Sequence, residues 1–219
     1  MYTEAHRDYD STNSLLSFHT DSKIRKDAAR MAIGMHPSKV LDVATGTGDL
    51  AIYISEFAKR SNVNAKVVAI DTNHDMLGIA KSKAAESTTS VEFEAGDVYN
   101  IKYPDGYFDV VTCSFAVKNF EVQERAIQEV RRVLKKGGTF IIVDISKPKG
   151  LLGGTAFGIY WMYMWLFGAF TRKKLYKWLP GSTSDFDRDK FVEIIRKNGF
   201  GEIGIKEFLF GIAYIINCR

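Results

Sequence analysis

Residues 40–51 read VLDVATGTGDLA: a short apolar run broken by one acid, then two glycines, then the start of an amphipathic pattern. No other stretch narrows the choice of fold as much. Val40, Leu41 and Val43 suit a buried parallel strand. Gly46 and Gly48 let the backbone turn sharply and approach a ligand where a Cβ would intrude. From Asp49 to Lys59, Leu50, Ala51, Ile54, Phe57 and Ala58 recur at helical spacing. Strand, glycine loop and helix in that order make the first crossover of a nucleotide-binding α/β domain.

The glycines with Ala51 also fit a dinucleotide site, so the discrimination falls to Asp42, inside the strand and four residues before Gly46. A carboxylate at the carboxyl end of a strand accepts from loop N–H groups or from a ligand's ammonium, and it repels a pyrophosphate. The ligand it points to is a nucleoside with a cationic amino-acid tail. S-adenosylmethionine meets that description. An aspartate that only braces its own loop is the plainer alternative.

A chain of 219 residues buries one sizeable core. Thirty basic and 26 acidic residues leave a formal charge of +4, which without clustering does not point to nucleic acid. Two cysteines, Cys113 and Cys218, make no disulfide framework and read as reduced thiols of a cytoplasmic protein. The opening MYTEAHRDYD has no apolar run, so no secretory signal is expected.

Helical periodicity covers Ser22 to Met35, stopping before Pro37. Strands are expected at 38–43, 66–71, 91–97 and 107–114. Asn73 is placed to cap a helix running to Lys83. An amphipathic helix fills 121–134, Gly137-Gly138 ends it, and GTFIIVDIS is the fifth strand. Asp187 to Asn198 is a further helix, closed by Gly199. Strands at about 202–208 and 212–218 finish the chain as an antiparallel hairpin. Alternation of this kind gives a doubly wound, mostly parallel seven-stranded sheet.

Ligands of such sheets sit beyond the carboxyl ends of the strands, and four successive ends here carry polar residues. Thr47 and Gly48 offer backbone N–H groups. Asp71, followed by Thr72, is placed to accept both ribose hydroxyls. Asp97 accepts from an exocyclic amine, Val98 offers an apolar wall to a purine, and Ser114 closes the pocket. Any one of these is an ordinary loop-start residue; four in register beside Asp42 are a more specific signal.

With those residues in place, the chain resembles the class I S-adenosylmethionine-dependent methyltransferases, in particular the C-methyltransferases of menaquinone and ubiquinone biosynthesis. Tyr9-Asp10, Asn13 and Ser17-Phe18 resemble that family's Y-D-x-x-N-x-x-x-S-F signature, and TGTGDL (45–50) matches its cofactor loop. FDVVTCSFAVKN (108–119) resembles F-D-x-x-x-x-S-F-x-x-R-N, and RVLKKGGTFIIVDISKP (132–148) resembles R-V-L-K-P-G-G…E-F-S-K-P. The resemblance spans nearly the whole chain. Lys118 and Lys136 depart from the family's Arg and Pro, and WLPGSTSDFDRDKF matches its segment only loosely.

The resemblance implies a Rossmann-like methyltransferase fold with a helical lid insertion. The expected division is substrate-side cap helices at 1–36, a cofactor core at 37–146, an apolar and aromatic lid at 147–186, and a helix and hairpin at 187–219. The cofactor residues carried over by position are Thr47, Asp71, Asp97, Val98 and Ser114. The implied acceptor is a lipophilic quinol. Methylating its ring carbon needs a base or a cation near the ring oxygens. Lys118 and Asn119 are the expected contacts, with Tyr9 closing over them; Asn13, Phe18 and His19 join on the substrate side. A solvated lysine or a lone surface histidine is the bland alternative. The sequence holds no metal-ligand spacing, and none is expected to be bound.

Leu151 to Phe170 is twenty residues without a charge, framed by Lys147 and Lys149 before and Arg172, Lys173, Lys174 and Lys177 after. Its length alone would suit a membrane span. Two other readings stay open: a buried core helix, or a lid whose Tyr160 and Trp161 meet a quinone while the basic flanks meet anionic lipid. Peripheral, reversible contact with the inner face of the cell membrane is expected, and a homodimer is left open. A methyltransferase for another lipid or small phenol, a non-catalytic membrane-associated scaffold and a nicotinamide-dependent oxidoreductase are the rivals.

Overall fold

The computed structural model describes residues 20–87, 89–148, 154, 155, 157–159, 162 and 186–219. In chain order these residues form α1 (Thr20–Ile33), β1 (Lys39–Val43), α2 (Asp49–Arg60), β2 (Lys66–Asp71), α3 (His74–Glu86), β3 (Glu92–Ala95) and β4 (Phe108–Ser114). After a 3₁₀ turn at Val117–Asn119 come α4 (Gln123–Val133), β5 (Leu134–Ile145), α5 (Arg188–Lys197), β6 (Ile203–Phe208) and β7 (Ala213–Cys218). The strands lie in the order β3-β2-β1-β4-β5-β7-β6. β1 pairs in parallel with β2 on one side and β4 on the other, so the strand order reverses there and a crevice opens at the carboxyl ends. β7 pairs antiparallel with β5 and with β6, as the terminal hairpin requires.

The sheet divides two cores. Leu50, Ala51, Ile54 and Ala58 of α2 join Ile24, Ala28 and Ala32 of α1 over Val40, Val67, Val110, Ile141 and Ile215. On the other face, Ala126, Ile127 and Val130 of α4 and Phe191 and Ile195 of α5 cover Leu41, Val111, Cys113, Phe140, Ile142 and Ile216. Alternate residues of β1, β4 and β5 therefore serve opposite cores, which is why the middles of these strands are mostly apolar on both faces.

Most boundaries lie within two residues of expectation, β3 is shorter at Glu92–Ala95 than the expected 91–97, and the junction of α4 and β5 differs in kind. Gly137 and Gly138 do not end α4; β5 begins at Leu134 and runs through them. Its register against β4 jumps between Phe108–Leu134 and Val110–Thr139, a bulge. A Cβ on Gly138 would stand 3.0 Å from the carbonyl oxygens of Asp109 and Lys135, so the bulge needs glycine there. Most of the apolar stretch lies outside the described residues. Gly154, Thr155, Phe157, Gly158, Ile159 and Met162 are helical, with Phe157 buried and Ile159 and Met162 exposed. No helix among the described residues is long and apolar enough to cross a membrane.

Candidate active site

Asp42 is fully buried in β1, and both its oxygens are taken by the protein itself. Thr45 Oγ1 donates to Oδ2 and Thr112 Oγ1 to Oδ1, each at 2.6 Å. Burial pushes its pKa up to about 6, against the two hydroxyls and the nearby Arg25 guanidinium, which pull it down. The expectation that Asp42 accepts from loop N–H groups or from a ligand cation is thus corrected. The carboxylate is a strut between β1, its loop and β4, too deep to touch a ligand. The bracing alternative describes it.

The loop above it is wound by two positive-φ glycines, Gly46 at 57° and Gly48 at 82°. The Gly46 N–H donates to Asp71 Oδ2 at 2.7 Å. The Gly48 N–H turns inward to the Thr45 carbonyl at 3.0 Å, which corrects its expected role as a donor to the ligand. Gly48 is required by packing instead: a Cβ there would meet Ala80 Cβ and Phe93 Cε1 at 2.9 Å. At Gly46 a Cβ would meet nothing within 4 Å, so this glycine faces the open crevice. Thr47 is buried and its Oγ1 accepts from Lys83 Nζ at 3.4 Å. Lys83 also pairs with Asp49 in the first turn of α2, a favourable place for an acid.

Asp71 ends β2 beside this loop. Its Oδ2 accepts from Gly46 N–H and its Oδ1 from Asn73 N–H at 2.9 Å, leaving each oxygen a further lone pair. Asn73 caps α3 through the Asp75 and Met76 N–H groups, and Thr72 between them is exposed. Asp97 is exposed and accepts from Tyr99 N–H at 2.9 Å. Val98 is mostly core, 8% exposed, beside Ile101. Ser114 ends β4, half-buried, before Phe115 at φ 56°. Strand ends thus bring Gly46, Asp71, Asp97 and Ser114 to one edge of the sheet.

The residues expected to meet the acceptor fare differently. Lys118 is 6% exposed, and its Nζ donates to Asp144 Oδ1 at 2.7 Å and to the Phe115 carbonyl at 3.2 Å. It is therefore a buried ion pair first, not the free cation the sequence reading placed at a ring oxygen. Asn119 is exposed and its backbone N–H closes the 3₁₀ turn on Ala116. Tyr9, Asn13, Phe18, His19, Tyr160 and Trp161 lie outside the described residues. Sequence reasoning missed Asp144, although it carries the same signal as Asp42, an acid inside an apolar strand. It also missed Arg25, whose guanidinium lies 4.7 Å from the Phe115 ring centroid and 3.9 Å from Asp49. Among the described residues no cluster of three His, Cys, Asp or Glu can hold a metal ion.

An α/β sheet reversing at β1, an open glycine turn and a carboxylate with spare lone pairs at the β2 end fit a nucleoside with an amino-acid tail. This is the class of S-adenosylmethionine-dependent methyltransferases. The chain belongs to the ubiE/COQ5 methyltransferase family, whose profile matches residues 1–218. A demethylmenaquinone methyltransferase of Deinococcus radiodurans is 35% identical over 209 residues, 94% of this chain and 85% of that protein. Another, from Thermus thermophilus, is 33% identical over 218 residues, 98% and 97% respectively. A methyltransferase of Aquifex aeolicus shares the fold, with a TM-score of 0.61 at 20% identity, covering 87% of this chain and 88% of that one.

The enzyme is a methyltransferase and S-adenosylmethionine is its cofactor, which sets aside the nicotinamide reading that the glycines alone allowed. The residues that would hold the cofactor at these strand ends are Asp71 at the ribose, the open Gly46 turn at the tail, and Asp97 with Val98 beside the base. When bound, the cofactor supplies a methyl group already activated by its sulfonium. The chain's share of the work is to hold, align and keep water out.

Proposed function

We propose that this enzyme methylates a ring carbon of a reduced, demethylated polyprenyl quinone, a demethylmenaquinol-like acceptor, in respiratory quinone biosynthesis. The likeness to two demethylmenaquinone methyltransferases over 94% and 98% of the chain carries the reading. The chemistry agrees with it. A hydroquinone ring is made nucleophilic at carbon by its own oxygens, so the protein needs alignment and a polar contact at oxygen more than a covalent nucleophile.

A membrane-resident acceptor calls for an enzyme that meets the lipid surface, and we assign that contact to the carboxyl-end rim of the sheet. Leu209 and Phe210, in the turn between β6 and β7, are 48% and 77% exposed. Both hold left-handed backbone, φ 51° and 58°, a strained choice for bulky residues that the β6–β7 turn imposes. Exposed Lys147 follows Ser146, whose N–H donates to the Ile212 carbonyl, so a cation sits beside the apolar pair. Apolar tips beside a cation suit an anionic bilayer.

The test is an assay with radiolabelled methyl donor and a panel of reduced demethylated quinones and soluble phenols. Label on the quinol ring is the expected result. Label confined to soluble phenols would replace the acceptor, and no transfer at all with intact cofactor binding would leave the scaffold reading standing.

A further inference from the structure

The helices α3, α4 and α5 do not start alike. α3 and α5 cap themselves: the Asn73 side chain accepts from the Asp75 and Met76 N–H groups, and the Asp187 side chain from those of Asp189 and Lys190. α4 opens on Val122, whose side chain has no oxygen to offer. In a capping box, a glutamate three residues further on would accept from the Val122 N–H. That position is Arg125, which only donates. The acceptor comes instead from another part of the chain: the Val122 N–H donates to the Tyr99 hydroxyl at 3.2 Å.

Tyr99 grips the same segment twice more. Its ring meets Phe120 edge-on with centroids 6.3 Å apart, and the Arg125 guanidinium stands 5.7 Å from its centroid. At its own end Tyr99 is fixed to the cofactor side. Its N–H donates to Asp97 Oδ1 at 2.9 Å, and the Asn100 N–H closes that turn on the Asp97 carbonyl at 3.0 Å. From Val122 the tie runs back toward the acceptor side. Gln123, the next residue, donates from Nε2 to the Val117 carbonyl at 3.3 Å, and Val117 opens the 3₁₀ turn that carries Lys118 and Asn119. The loop beside the base and the turn after β4 are thus joined through two polar contacts. The Tyr99 bond is solvent-exposed, so water replaces a lost partner and the bond adds little to stability. What it fixes is a position, and misplacing reacting groups by about 1 Å slows a reaction up to about a hundredfold.

We propose that Tyr99 is a positioning residue for methyl transfer, clamping the Val117–Asn119 turn to the Asp97 loop so that acceptor side and cofactor base share one frame. It acts through Gln123 and the turn rather than on either reactant. The inference rests on the methyltransferase reading and on the base lying beside Asp97, and it extends them to a residue that no resemblance pointed to.

The test is Tyr99→Phe in the full chain, which keeps the ring and removes only the acceptor oxygen. Melting temperature should move by no more than about 2 °C, the scale for an exposed position. S-adenosylhomocysteine affinity should stay within about twofold. With a demethylmenaquinol of two isoprene units, kcat should fall about 5- to 20-fold while KM for S-adenosylmethionine holds. Gln123→Met should do the same, and the double variant should fall no further than the worse single, because both act through one tie. Amide hydrogen exchange across 115–122, with S-adenosylhomocysteine bound, should quicken at least about fivefold in either variant. Unchanged exchange overturns the clamp, and faster exchange with unchanged kcat removes it from the reaction. Loss of melting temperature in step with activity would make Tyr99 a helix cap alone, and fully multiplicative losses in the double variant would break the path through Gln123; either overturns the proposal. Should the wild-type enzyme methylate no quinol, the acceptor reading fails by itself, and hydrogen exchange still decides the clamp.

Discussion

Gly46 and Gly48 stand two positions apart in the same loop, both at positive φ, yet a methyl group added to each meets different surroundings. Left-handed backbone costs an alanine about 1–2 kcal/mol at either site. At Gly48 the new Cβ also overlaps Ala80 and Phe93, and overpacking adds about 1–3 kcal/mol. Gly48→Ala should therefore lower stability by about 2–5 kcal/mol in urea melts. Gly46→Ala should cost only about 1–2 kcal/mol but weaken S-adenosylhomocysteine binding at least tenfold, because its methyl group enters the crevice. Equal damage from both would place the cofactor elsewhere. Asp71→Ala is the companion measurement. It should reduce cofactor affinity by about 1.5–3 kcal/mol, the range for a hydrogen bond to a charged group, and calorimetry finding no change would remove Asp71 from the ribose. The sequence showed that both glycines mattered and could not show that they matter differently. Ala80 and Phe93 lie more than thirty residues away, and only the packed α3 and β3 bring them over Gly48.

At the scale of elements, the central strands were legible because a core lies on each of their faces, and the helices because they keep a 3.6 period. The start of β5 was not, because two consecutive glycines read as a helix stop when nothing local reveals a bulge against β4. The partners of Asp42 were hidden for a similar reason. Thr112 is 70 residues distant, and only the β1–β4 register sets Asp42 against Thr112. That contact makes the junction of β1 and β4 sensitive to pH. Burial raises the folded-state pKa of Asp42 from an ordinary 3.8 to about 6. The fold thus favours the protonated form; this contribution is complete below about pH 4 and is lost as pH rises through about 6. Thr112→Val removes one hydroxyl that supports the charged form, so its cost should grow with pH. About 1.5–3 kcal/mol is expected at pH 8, and clearly less at pH 4.5, where Asp42 is protonated in both proteins. Denaturation at the two pH values checks it; a penalty independent of pH would mean that Asp42 stays neutral in the fold.

For the whole molecule, topology gathers the cofactor loop, the Lys118–Asp144 pair and the Leu209-Phe210 turn at a single end of the sheet. The sequence pointed to the loop through its glycines. It could not point to the turn, because Phe210 reads as one more apolar residue between two strands until its backbone turns it outward. If that end meets the membrane, the bound enzyme faces its acceptor without extracting the isoprenoid chain into water. Full insertion of Phe210 contributes about 1.5–3 kcal/mol, and a nearby cation such as Lys147 adds about 1 kcal/mol on an anionic surface. Sums of that size give weak, reversible contact rather than anchoring, and binding should fade as salt screens the cation. Phe210→Glu should accordingly reduce sedimentation with vesicles of mixed neutral and anionic phospholipid roughly tenfold or more, in line with the 1.4 kcal/mol that each factor of ten represents. At an exposed position it should move stability by no more than about 0.5 kcal/mol. Turnover of a long-chain quinol presented in vesicles should fall with it, while a short-chain quinol in solution is methylated as before. Unchanged sedimentation would take the docking function away from this turn, and equal loss on both acceptors would place Phe210 in the acceptor pocket instead.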